Sequence, residues 1–136
     1  MGSIDENGRT PLSWAAQAGQ NETAKIIIHR HARVCSIDIF GRTPLHWAVI
    51  GGRRKMVEFL LEKGADPNHR NAMGQSSLQW AAAADKTKIM KVLFDYKVAV
   101  NHKDWANSTP LIWAAANGKE RALMLLLENN AEINFA

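Results

Sequence analysis

IDIFGRTPLHWAVIGG, Ile37 to Gly52, decides the fold of this chain, because the stretch comes back at a fixed spacing. Starting 33 residues earlier, at Ile4, stands IDENGRTPLSWAAQAG; starting at Arg70, RNAMGQSSLQWAAAAD; starting at Lys103, KDWANSTPLIWAAANG. Thr10, Thr43, Ser76 and Thr109 fall in register, and so do Trp14, Trp47, Trp80 and Trp113, with no insertion between them. A constant period of this length is the mark of a stacked array. The 136 residues therefore divide into four small units over about 4–36, 37–69, 70–102 and 103–135, sharing one elongated core. Met1-Gly2-Ser3 is read as an expression-vector scar.

Each unit reads as turn, short helix, turn, longer helix. In the second, Asp38-Ile39-Phe40-Gly41 forms a turn, and Gly41 is available for positive φ. Thr43 is an N-cap and Pro44 occupies the first helical position, where a missing N–H costs nothing. Leu45, Ala48 and Val49 then share one face, and Gly51-Gly52 stops the helix. The second helix runs from about Arg54 to Lys63, with Met56, Val57, Leu60 and Leu61 on its core side. Gly64 stands where a left-handed C-cap is expected. Two short helices cannot bury their apolar surface alone, so stability has to come from stacking neighbours.

The unit resembles an ankyrin repeat. Gly41-Arg42-Thr43-Pro44-Leu45-His46-Trp47-Ala48 and the ending Gly64-Ala65-Asp66-Pro67-Asn68 carry the likeness, and it extends over essentially the whole chain. The resemblance implies an all-α repeat solenoid of helix-turn-helix units with β-hairpin-like turns. Hairpin tips would project to one side, the first helices would line a concave face, and the second helices would form the back. The third unit departs most: Ser77 replaces the proline, Gln79 the histidine and Asp85 the inter-helix glycine, and its second helix ends at Lys97. The first unit has His31 at that ending and the fourth Asn130. Lysine or histidine in a left-handed conformation costs roughly 1 kcal/mol relative to glycine, so the third unit is expected to be the least ideal.

Composition narrows the function. Apolar residues make up 46% of the chain, enough for a folded core, while the longest apolar runs, such as Ala122 to Leu127, are too short to span a membrane. The lone Cys35 argues against a disulfide framework and fits a reducing compartment, so the chain is read as intracellular, cytoplasmic or nuclear. No nucleophile elbow, phosphate-cradling loop or paired general acid and base stands out, and no enzyme activity or cofactor is expected. His29 and His31 lack the companions a zinc site needs, so no metal is expected either. His46 is assigned a hydrogen-bonding role between hairpin and helix. The net charge of +4 permits an acidic partner without demanding one. Arg53-Arg54-Lys55, Lys86, Lys88, Lys91, Lys119 and Arg121 collect near the second helices; without interleaved aromatics they read as a solvated edge, and nucleic acid is not expected.

In ankyrin-type proteins, binding generally uses the turn tips and the outward side of the first helices. Here the tips are Glu6-Asn7, Ile39-Phe40, Ala72-Met73 and Trp105-Ala106, and three of the four are apolar where solvated turns should be polar. The expected partner-binding residues are Ile39, Phe40, Ile50, Met73 and Trp105, with Phe40 and Trp105 as anchors, because large aromatics dominate interface hot spots. Arg9, Arg42 and Gln75 would add polar rim contacts, the arginines as carboxylate clamps. Trp14, Trp47, Trp80 and Trp113 read as a packing ladder between repeats, with an aromatic groove floor as the alternative. Asn68, Asn101 and Asn134 each follow a leucine by eight residues, a setting in which some ankyrin-type proteins are hydroxylated; the plainer role is hydrogen bonding in the hairpin. The apolar last helix and the absence of a polar cap suggest a segment of a longer array or end-to-end self-association. Together these point to a non-catalytic module binding a protein or peptide, the alternatives being a small-ligand or nucleotide-messenger site in the tryptophan groove, or an architectural segment.

Overall fold

A computed structural model of the chain describes residues 6–30 and 33–133. Met1-Gly2-Ser3, His31 and Asn134 lie outside the described residues. Eight helices occur among the described residues, and no strand: α1 Pro11–Ala18, α2 Asn21–His29, α3 Pro44–Ile50, α4 Arg54–Glu62, α5 Ser77–Ala83, α6 Thr87–Asp95, α7 Pro110–Ala116 and α8 Glu120–Glu128. The first helices of the units pack side by side, α1 on α3 on α5 on α7, and the second helices do the same, α2 on α4 on α6 on α8. The array is thus two helical layers, an all-α solenoid.

The caps are those the residues dictate. Thr10, Thr43, Ser76 and Thr109 each accept a hydrogen bond from the backbone N–H three residues on, satisfying one orphan donor of the helix start. At the other end of the first helices, Gly19, Gly52, Asp85 and Gly118 have positive φ, and the following residue donates back across the last turn, as Arg53 N–H does to the Ala48 carbonyl at 2.9 Å. Gly64, Lys97 and Asn130 repeat the device after α4, α6 and α8. Leu45, Val49, Met56, Val57 and Leu60 are buried together with Leu78, Met90, Leu93 and Leu126 in one continuous core that crosses all four units.

Two departures in the third unit turn out to be compensated. Gln79 reproduces both bonds of His46. In the second unit, His46 Nδ1 accepts from Thr43 N–H at 3.3 Å and Nε2 meets the Gln75 carbonyl of the next hairpin at 3.2 Å. In the third, Gln79 Oε1 accepts from Ser76 N–H at 2.9 Å and Nε2 donates to the Ser108 carbonyl at 2.6 Å. Asp85 takes on a strained φ of 58° but accepts from Ala122 N–H at 3.1 Å. Ala122 is the third residue of α8, whose own N-cap, Lys119, makes no side-chain cap bond. A carboxylate at a helix N-terminus also opposes the helix dipole. Lys97, at φ 59°, makes no such side-chain hydrogen bond among the described residues.

Candidate functional site

The hairpins are organised by one side chain each. Asp38 Oδ1 accepts from Phe40 and Arg42 N–H, Asn71 Oδ1 from Met73 and Gln75 N–H, and Asp104 Oδ1 from Ala106 and Ser108 N–H, all at 2.9–3.0 Å. Neighbouring tips are then tied backbone to backbone: Ile39 N–H to the Asn7 carbonyl, Ala72 N–H to Phe40, and Trp105 N–H to Met73. This spacing requires glycine at Gly41, since a Cβ there would stand 2.8 Å from Ala72 N.

The tips therefore form a fixed row. Ile39 (63% exposed), Phe40 (49%), Met73 (63%) and Trp105 (65%) all project from it. Trp105 both folds back and stays exposed. One ring face lies on Gly74, where an added Cβ would meet Cδ2 at 2.7 Å, and Nε1 donates to the Ala72 carbonyl at 2.9 Å. An aromatic held in place this way loses little entropy when a partner covers it.

The in-register tryptophans do not form a uniform floor. Arg9 lies between Trp14 and Trp47, its guanidinium 3.7 and 3.5 Å from the two ring centroids. Arg42 continues the stack at 4.3 Å from Trp47 and 4.7 Å from Phe40. Trp47 is consequently only 8% exposed, and its Nε1 donates to Asp38 Oδ2 at 3.2 Å. Two cations thus lie on the Trp47 ring. Arg9 and Arg42 also have polar partners within the chain. Arg9 is buried and donates to Gln17 Oε1 at 2.8 Å, while Arg42 Nε pairs with Asp38 Oδ2 at 3.0 Å. Stacking on indole is a use of arginine that a search for carboxylate clamps does not anticipate. Trp80 and Trp113 pack directly on each other at 6.1 Å, and Trp14 is half exposed at the first unit.

Gln75 is half-buried and accepts from Asn71 Nδ2 at 2.9 Å. Ile50 is half-buried on the inner helix face beside Gly51, which sits against the Gln17 carbonyl with no space for a side chain. Asn68 and Asn101 are hairpin ties: their amide oxygens accept from Ala99 and Glu132 N–H of the following unit at 2.7 and 2.9 Å. On the opposite edge, a shallow depression between α4 and α6 is lined by Gly52, Arg54, Asp85, Lys86, Thr87, Lys88 and Ile89, with no aromatic among them.

Asp38, Asn71 and Asp104 hold the turns in place, a role not assigned to them from the sequence. Their signal was present: each stands nine residues before its unit's tryptophan. The third unit tests their importance. Asn71 turns its Nδ2 donor where the other two offer Oδ2, and Trp80 Nε1 is left buried without an acceptor. Asn71→Asp is expected to raise stability by about 1 kcal/mol by satisfying that N–H. Urea denaturation measures it, and no gain would mean that the indole is not the limiting defect.

An array of capped helix pairs with an exposed, backbone-tied row of hairpins defines a repeat solenoid whose hairpin side is its distinctive surface. The family described as ankyrin repeats (3 copies) matches residues 1–71 and again 66–136. The chain belongs to the ankyrin-repeat family. None of the curated proteins compared matches it. Domains of this family are generally protein–protein interaction modules and typically non-catalytic. Among the described residues no helix is long and apolar enough to cross a membrane.

Proposed function

We propose that this chain is a non-catalytic module that holds a protein partner on its hairpin row, with Phe40 and Trp105 as anchors. Ile39 and Met73 fill the row between them, and Ile50, Arg42 and Gln75 border it. The observation that carries this reading is four large apolar side chains exposed along tips that hydrogen bonds already hold in place. Such a surface costs water contact in the free protein and little ordering on binding. An intracellular setting fits the exposed free thiol of Cys35.

The test is proximity labelling or pull-down from cells with wild type and the Phe40→Ala/Trp105→Ala variant, followed by titration of the partner recovered. Each single substitution is expected to weaken binding by about 2 kcal/mol, roughly 30-fold. Circular dichroism must match between variant and wild type. Equal affinity would remove the row as the site.

A second reading, end-to-end self-association, has its own observation. Ile112, Ala115 and Leu127 are exposed in the last unit, whereas their counterparts in the unit before are buried (Gln79, Ala82) or half-buried (Phe94). Sedimentation is expected to show concentration-dependent dimers in the micromolar range (~8 kcal/mol), abolished by Leu127→Glu. A strict monomer at high concentration would remove this reading.

A further inference from the structure

We infer that Asp104 and Trp113 form a seat for an arginine side chain supplied by a protein partner. The second unit provides the template. There Asp38 Oδ2 takes two donors, Trp47 Nε1 at 3.2 Å and Arg42 Nε at 3.0 Å, and the guanidinium lies on the Trp47 ring. A carboxylate, an indole and a guanidinium thus close a three-membered cluster.

The fourth unit keeps two of the three members. Asp104 is buried, and its Oδ2 accepts from Trp113 Nε1 at 3.0 Å, as in the template. Its Oδ1 holds the turn through Ala106 and Ser108 N–H at 3.0 and 2.9 Å, again as in the template. The residue in register with Arg42, however, is Ser108. Among the described residues Asp104 meets N–H donors only, and no cation lies on Trp113. A carboxylate oxygen has room for a second donor, and a buried carboxylate gains more from a cation than an exposed one does.

The position is also open. Arg9 touches both its own Trp14 and the following Trp47, so its guanidinium lies on the side facing the next unit. Ser108 and Trp113 are both partly exposed, and Trp105, the most exposed hairpin aromatic, belongs to the same turn. The third unit is built otherwise. Asn71 and Gln75 bond each other there, and Trp80 is covered by Trp113. Planarity selects arginine over lysine, because only a guanidinium stacks on the ring while its N–H donors reach the carboxylate edge-on.

The assignment deepens the reading of the hairpin side as a partner surface, and its test does not need the partner. The probe is N-acetyl-arginine amide, with N-acetyl-citrulline amide as the neutral isostere, titrated into the ¹⁵N-labelled protein. The Trp113 Nε1–H signal is expected to shift saturably with the arginine amide, with a Kd on the order of millimolar, and to stay in place with the citrulline amide. Ser108→Arg is expected to abolish that shift and to raise Tm by a few degrees, since the introduced guanidinium closes the cluster from within. Asp104→Asn is expected to abolish the shift without raising Tm. Equal shifts from both amides, no shift at all, or a shift that survives Ser108→Arg would each overturn the seat. Failure of the pull-down alone would instead count against the hairpin row.

Discussion

His46→Gln is expected to erase most of the difference in stability between pH 6.5 and pH 4 that His46 imposes on the wild-type protein. His46 is fully buried, and burial, ahead of all other causes, lowers its pKa from 6.5 to about 4. The neighbouring charges of His69 and Arg42 push the same way, while the Gln75 carbonyl and Asp38 oppose them. Above pH 6.5 the ring is neutral in both folded and unfolded chains, and its contribution is complete. As pH falls below 6.5 the unfolded chain takes up a proton that the folded one refuses, so stability is lost until about pH 4 and is constant below that. The full span corresponds to roughly 3 kcal/mol. Glutamine removes the titration while keeping both hydrogen bonds, as Gln79 shows in the adjacent unit. Urea denaturation of both proteins at pH 7 and pH 4.5 measures this. Parallel losses in the two would show that His46 does not govern the acid sensitivity.

Trp47→Ala is expected to cost about 3–5 kcal/mol, the range for removing a large buried aromatic. The loss has three parts. The ring volume goes, Asp38 Oδ2 loses a donor, and Arg9 and Arg42 lose the ring they both contact. Trp105→Ala, at a side chain 65% exposed, is expected to cost less than about 1 kcal/mol. The same substitution thus separates scaffold from surface. Comparable losses in urea midpoint for the two variants would contradict the division between a packed ladder and an exposed hairpin row.

Much of this was legible in the chain itself. The period of 33 placed every helix, and Thr43-Pro44 and its counterparts marked the helix starts. The apolar tips stood out because they broke the rule for solvated turns. The aromatic ladder was read only in part. A tryptophan recurring at one register position predicts stacking, but the choice between indole on indole and indole on guanidinium depends on a side chain five residues earlier and on the neighbouring unit. Arg9 and Arg42 looked like free cations because their burial comes from rings that belong to other turns. Asp85 looked like a defect because the N–H it serves lies 37 residues away.

Local chemistry along the chain therefore determined the repeat, the caps, the two helical layers and the family. The caps rest on contacts within one unit, where spacing dictates which groups meet, and the layers follow from repeating that unit at a fixed period. The tertiary structure decided which arginines are stacked, which tryptophan is covered, and which carboxylate is left without a cation. These depend on how one unit lies against the next, and the same residue type is closed in by a neighbour at Trp47 and left open at Trp113.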